Sequence, residues 1–325
     1  MVYFFAIVLM YILEILYFKI AYIFNIIDKP NDRSSHTHVT LRGGGIIFYI
    51  AALFYCFTSG FQYPFFFLGL TLIALVSFSD DIFTLSNRLR LAIQFIAVGL
   101  MAFQLQVFEM PWYLLILTLI IAVGVINAYN FMDGINGITA VYSLAVGGLL
   151  MSVNRHIDFI DQNLLIYTLL GVLVFAFFNF RTRALCFAGD VGSVSIAFIL
   201  LFALGALVFK TQNLIYILFL SVYGTDTVWT IGRRVRLREN IFKAHRSHLF
   251  QLLANEAGGN QLLISFIYGA LQVGIGYAVI CASAWDKQGQ LLFAFALLTG
   301  MGLFYGLLKS YVIRKYVKSY PPFTV

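Results

Sequence analysis

The chain has 325 residues, 61% of them hydrophobic and 11% charged, with a mean hydropathy of +0.90 and a formal net charge of +7. Soluble globular domains carry about 25% charged residues, so this composition excludes a soluble fold. The three cysteines, Cys56, Cys186 and Cys281, are scattered with no CxxC pair and give no sign of a disulfide framework or a thiolate zinc site.

Apolar runs of about 17 to 23 residues recur along the chain, the length that crosses roughly 30 Å of hydrocarbon. They predict an all-α, polytopic transmembrane helical bundle of ten to eleven spans, one integrated domain over 1–325. The first run, 2–24, lacks a basic leader and a small-residue cleavage site and carries Glu14 and Lys19, so it reads as a retained span rather than a signal peptide. Further spans are predicted at 44–60, 64–79, 89–106, 112–129, 138–153, 163–180, 191–209, 213–231, 262–284 and 290–308. Seventeen of the 21 Lys and Arg residues fall in one set of loops and three in the opposite set, with Lys19 inside the first span. The positive-inside rule then places the N-terminus in the periplasm and the C-terminus in the cytoplasm.

The polar motifs share that basic side, in loops 25–43, 79–90, 127–137, 181–193 and 232–261. A transporter needs polar groups along a path through the bilayer. Here the polar mass lies at one mouth, which points to chemistry at the cytoplasmic face on something embedded in the membrane.

Taken in chain order, "TLRGGG" offers a flexible turn, or backbone N–H groups that approach phosphate beside Arg42. "SDDIF" ends an apolar run with Asp80 and Asp81. Two readings stay open: helix-end acids that meet Arg88 and Arg90, or ligands for a hard divalent cation, one of them suited to act as a base. "NAYNFMDGING" spaces Asn127, Asn130 and Asp133 by three, which puts them on one face of a helix end. "FAGDVGS" places Asp190 at a helix start, as an ordinary N-cap or as a metal ligand in a glycine-lined opening; Phe187 beside it packs or stacks. "AHRSH" aligns His245 and His248 around Arg246, suited to phosphate binding or acid–base work.

The ordered set D-K-P-x-x-R-x-x-H, R-G-G-G, D-D-x-x-x-L-x-x-R-x-R-L-x-x-Q, N-x-x-N-x-x-D-G-x-x-G, G-D-x-G-S and H-R-x-H, from Asp28 to Gln251, resembles the polyprenyl-phosphate N-acetylhexosamine-1-phosphate transferases of glycosyltransferase family 4. The resemblance implies transfer of a sugar-1-phosphate from a UDP-sugar to undecaprenyl phosphate at the cytoplasmic face of the bacterial inner membrane. UMP leaves, and a cell-envelope polysaccharide such as O-antigen is begun. It implies Mg²⁺, with Mn²⁺ as a substitute, held by Asp190 and Asp80. Asp80 becomes the base or positioning group for the lipid phosphate and Asp81 its partner. Asn127, Asn130 and Asp133 line the nucleotide pocket, Phe187 stacks on uracil, and Arg42, His245, Arg246 and His248 contact phosphates or sugar. A homodimer is known in the family; nucleic acid is not expected as a partner. Asn136 stands where the family often has a second Asp, Leu41 where relatives often have Pro, and the three-histidine cluster of the MurNAc-pentapeptide branch is absent. A UDP-N-acetylhexosamine donor is therefore expected, and a transporter or flippase of lipid-linked sugars is the alternative.

Overall fold

A computed structural model describes residues 1–30, 38–240 and 246–317. Each of the eleven predicted spans falls on helix. In chain order these are α1 (Val2–Ile23), α2 (Ile46–Thr58), α3 (Pro64–Phe83), α4 (Asn87–Gln104), α5 (Trp112–Met132), α6 (Ile138–Ile157), α7 (Gln162–Asn179) and α8 (Gly189–Thr211). A 3₁₀ stretch (Leu214–Leu220) then leads into α9 (Ser221–Arg236). One short turn, α10 (Leu249–Gln251), and a π turn (Leu252–Glu256) precede α11 (Gln261–Ala282) and α12 (Lys287–Tyr316). Among the described residues, nine helical stretches are long and apolar enough to cross a membrane. The exceptions among the predicted spans are α2, at 13 residues, and α4, whose first turn carries Arg88 and Arg90.

Local chemistry sets the helix ends. Pro64 opens α3, where its missing N–H costs nothing. The side chains of Asp161, Asn260 and Asp286 accept backbone N–H bonds and cap α7, α11 and α12. Thr84, at φ 53°, turns the chain left-handed and stops α3 immediately after the acidic pair.

Helix α8 is apolar on every side, as a helix buried on every side must be, and α2, α3, α5, α6 and α7 all pack against it. Its side chains Ile196, Phe198 and Ile199 are fully buried. The N-terminus of α8 therefore opens at the centre of one end of the bundle, where α3 and α5 terminate. An antiparallel pair, β1 (Ile27–Asp28) with β2 (Thr40–Leu41), folds over that end, and Leu41 bridges to Cys186.

Candidate active site

Three carboxylates meet at this end, and they do different things. Asp81, from the last turn of α3, accepts Asp190 N–H at 2.9 Å and Val191 N–H at 3.0 Å, so it caps α8 from a neighbouring helix. Arg42 Nε closes the same carboxylate at 2.7 Å. Asp190, which the sequence offers as an N-cap, caps nothing through its side chain. Its Oδ2 accepts from Arg90 Nη1 at 2.7 Å, and Arg42 Nη2 lies 3.4 Å from its Oδ1. Asp80 is buried, pairs with the same Arg90 Nη1 and also accepts Leu85 N–H. The helix-end pairing with Arg90 thus exists, and Asp190 shares it; Arg88 is exposed.

The glycines hold this arrangement together. The N–H groups of Gly44 and Gly45 bond to the carbonyls of Phe187 and Ala188, at 2.9 and 3.1 Å. Both are therefore spent on the backbone, which favours the turn over the phosphate contact of the two readings of "TLRGGG". A Cβ on Gly45 would meet Gly192 Cα at 2.3 Å, and one on Gly192 would meet Gly45 Cα at 2.5 Å, so two main chains cross in contact. Gly189 has φ +70°, and a Cβ there would meet Asp81 Oδ2 at 2.6 Å.

Beside the carboxylates a narrow cleft, with room for about one water, lies between α3, α4, α5 and α8. Ser77, Arg90, Gln94, Asn127, Asn130 and Asp190 form its polar lining and Ile73, Val76, Ile93 and Val194 its apolar one. Asn127 donates to Gln94 Oε1 at 2.7 Å and to Val123 O at 2.8 Å; Asn130 donates to Ser193 Oγ at 3.0 Å. Asp133, just beyond α5, accepts from the Thr139 hydroxyl at 2.6 Å. Burial pushes its carboxyl up to about 6, with the Thr139 bond opposing and the Asp190 charge adding. Asn136 donates its amide to the carbonyls of Arg181 and Thr182, at 2.9 and 3.3 Å. A carboxylate has no N–H to give, so asparagine suits the position where relatives often carry aspartate.

The structure thus gathers Arg42, Asp80, Asp81 and Asp190, with Asn127 and Asn130 along the cleft. Phe187 is half-buried; its N–H bonds to Leu41 O at 2.8 Å beside the same cluster. His248 is placed differently: it is 1% exposed, with Nδ1 2.9 Å from Asp226 Oδ1. Arg246 pairs with Glu256 at 3.2 Å. His245 lies outside the described residues. Arg90, Gln94 and Ser193 were not singled out from the sequence as site residues. The R-x-R-L-x-x-Q run, one helical turn between its second arginine and its glutamine, was the available signal for Arg90 and Gln94.

Among the described residues, no cluster of three or more His, Cys, Asp or Glu could hold a metal ion. Two carboxylate oxygens, from Asp80 and Asp190, nevertheless converge on one guanidinium nitrogen. Mg²⁺ commonly takes one or two protein carboxylates and fills its remaining positions with water and substrate phosphate, so this donor pair fits such an ion.

Residues 63–208 match the family model described as glycosyl transferase family 4. Over 273 residues the chain is 26% identical to the probable undecaprenyl-phosphate N-acetylglucosaminyl 1-phosphate transferase of Bacillus subtilis, covering 77% of this chain and 75% of that one. It is 25% identical over 262 residues to the undecaprenyl-phosphate alpha-N-acetylglucosaminyl 1-phosphate transferase of Thermotoga maritima, covering 77% and 80%. The phospho-N-acetylmuramoyl-pentapeptide-transferase of Bacteroides thetaiotaomicron is 30% identical over 161 residues, covering 42% of this chain and 37% of that one.

Proposed function

We propose that the chain, whose residues 63–208 match the glycosyl transferase family 4 model, acts as a member of that family and transfers an N-acetylhexosamine-1-phosphate from a UDP-sugar to undecaprenyl phosphate. In this reading UMP is released at the cytoplasmic face of a bacterial inner membrane, and the lipid-linked product begins a cell-envelope polysaccharide. The observation that carries it is the meeting of Asp80 and Asp190 on Arg90, where membrane-crossing helices end.

An acceptor lipid anchors its phosphate at that level, while a soluble, anionic donor arrives from the water. A phosphate oxygen of the lipid attacks the phosphorus that carries the sugar. The new P–O bond forms as the bond to UMP breaks. Asp80 and Asp190 would hold Mg²⁺, which when bound would supply charge neutralisation for the diphosphate. The chain's own groups do the rest. Arg42 and Arg90 exchange carboxylate partners for phosphate oxygens, Asp80 orients the lipid phosphate, and Asn127, Asn130 and Asp133 face the nucleotide. Catalysis of this kind rests on positioning and preorganised charge more than on covalent chemistry.

The test is purified protein with undecaprenyl phosphate, Mg²⁺ and a panel of radiolabelled UDP-sugars. A lipid-linked product with stoichiometric UMP is expected from at least one UDP-N-acetylhexosamine. No product from any donor would overturn the proposal.

A further inference from the structure

A second carboxylate site lies inside the bundle, away from the contacts of Asp80, Asp81 and Asp190. Asp226, in α9, is 1% exposed. Its Oδ1 faces His248 Nδ1 at 2.9 Å and accepts the Tyr305 hydroxyl at 2.9 Å, Leu249 N–H at 3.2 Å and the Thr230 hydroxyl at 3.3 Å. Its Oδ2 accepts the Tyr268 hydroxyl at 2.8 Å. Lys309 Nζ donates to Tyr305 OH at 3.0 Å and to Thr230 Oγ1 at 2.8 Å, which brings a positive charge to the network without direct contact with the carboxylate. The donors come from α9, α11, α12 and the residues that open α10. An ionisable group at such depth is costly, and its presence is a sign of function.

Surrounded by donors, an ionised carboxylate only accepts. His248 therefore carries a proton on Nδ1. The same carboxylate seats Leu249, the start of α10. The next two residues lie on the turn after Asp133: a Cβ on Gly134 would meet Gln251 Nε2 at 3.0 Å and Phe250 Cε2 at 3.1 Å. The His248 ring stacks with Phe250 at 5.8 Å. One buried carboxylate thus connects residues 248–251 to the D-G turn at the mouth.

We propose that Asp226 is a positioning residue for the donor side of the site: it fixes the Nδ1–H form of His248 and seats residues 248–251 against the Asp133–Gly134 turn. This rests on the reaction proposed above. The bland alternative, a hydrogen-bonded knot that only joins helices, makes different predictions.

The test uses the full chain in lipid nanodiscs, ¹⁵N-labelled at histidine. A histidine protonated on Nδ1 is expected in the wild type, and Asp226→Leu, which keeps the branched skeleton and removes the acceptor, is expected to lose that form. Absence of an Nδ1–H histidine in the wild type, or the same form in both proteins, overturns the proposal whether or not any UDP-sugar is turned over. In turnover, Asp226→Leu is expected to raise the KM for the UDP-sugar about tenfold, on the scale of groups that orient a functional histidine. The KM for undecaprenyl phosphate should stay within about twofold. Tyr268→Phe removes one bond to the same carboxylate but not the histidine contact, and should keep both the Nδ1–H form and the donor KM. An equal rise in both KM values, or the same donor effect in Tyr268→Phe, would leave only the knot. If Asp226→Leu does not fold, the wild-type histidine form and Tyr268→Phe still decide.

Discussion

At the scale of single residues, Asp80 and Asp81 are adjacent in sequence and separate in role. Asp81 has both oxygens committed to the start of α8 and to Arg42. Asp80 and Asp190 share Arg90, and in the proposed reaction they exchange it for a cation while Arg90 turns to a phosphate. Asp190→Asn and Asp80→Asn are therefore expected to lose at least about 10²-fold in turnover, the scale for removing one charge-stabilising or acid–base group. Their thermal midpoints in detergent should change little. Asp81→Ala should lower the midpoint as well, since losing a helix cap costs about 1 kcal/mol. Radiolabel transfer and thermal unfolding on the same preparations separate these outcomes; near-normal turnover in Asp190→Asn or Asp80→Asn removes that residue from the site. The acidic pair was legible as chemistry because it interrupts an apolar run. Its division of labour was not, because the N–H groups that Asp81 caps belong to residues more than a hundred positions further on.

At the scale of elements, the helices were legible because membrane spans must satisfy their backbone internally and present apolar side chains over a fixed length. Pieces governed by tertiary contact were not. The two-residue strands Ile27–Asp28 and Thr40–Leu41 exist through each other and through Cys186. The 3₁₀ entry to α9 and the π turn after α10 carry no periodic signal. R-G-G-G suits either a flexible turn or a phosphate contact, and its partner in the fold is the backbone of 186–188, which no local pattern announces. The crossing of Gly45 on Gly192 fixes how α2 meets α8. Gly192→Ala is expected to destabilise the protein by about 1 to 3 kcal/mol, the cost of forcing extra volume into a packed contact, and to reduce transfer, because Asp190 moves with the helix start. A thermal midpoint unchanged from wild type would show that the crossing yields without strain.

For the whole molecule, the positive-inside count predicts a cytoplasmic site, and the fold makes that checkable at exposed positions. Single cysteines placed at Arg183 or Arg238, in a background lacking Cys56, Cys186 and Cys281, are expected to react with a membrane-impermeant maleimide only from the cytoplasmic side. One at Lys287, at the opposite end of α12, should react only from outside. The reverse pattern would turn the protein over and take the proposed donor away from the site. Across the bundle the candidate site depends on helices far apart in the chain, α3, α4, α5 and α8, brought to one end because neighbours run antiparallel. The Gly45–Gly192 contact has a bearing on heredity as well. Neither position has a smaller residue to retreat to, so a change at one cannot be relieved by a compensating change at the other. Two distant codons are thus locked as a pair, and in a saturation library both should stand out as silent columns, tolerating almost nothing.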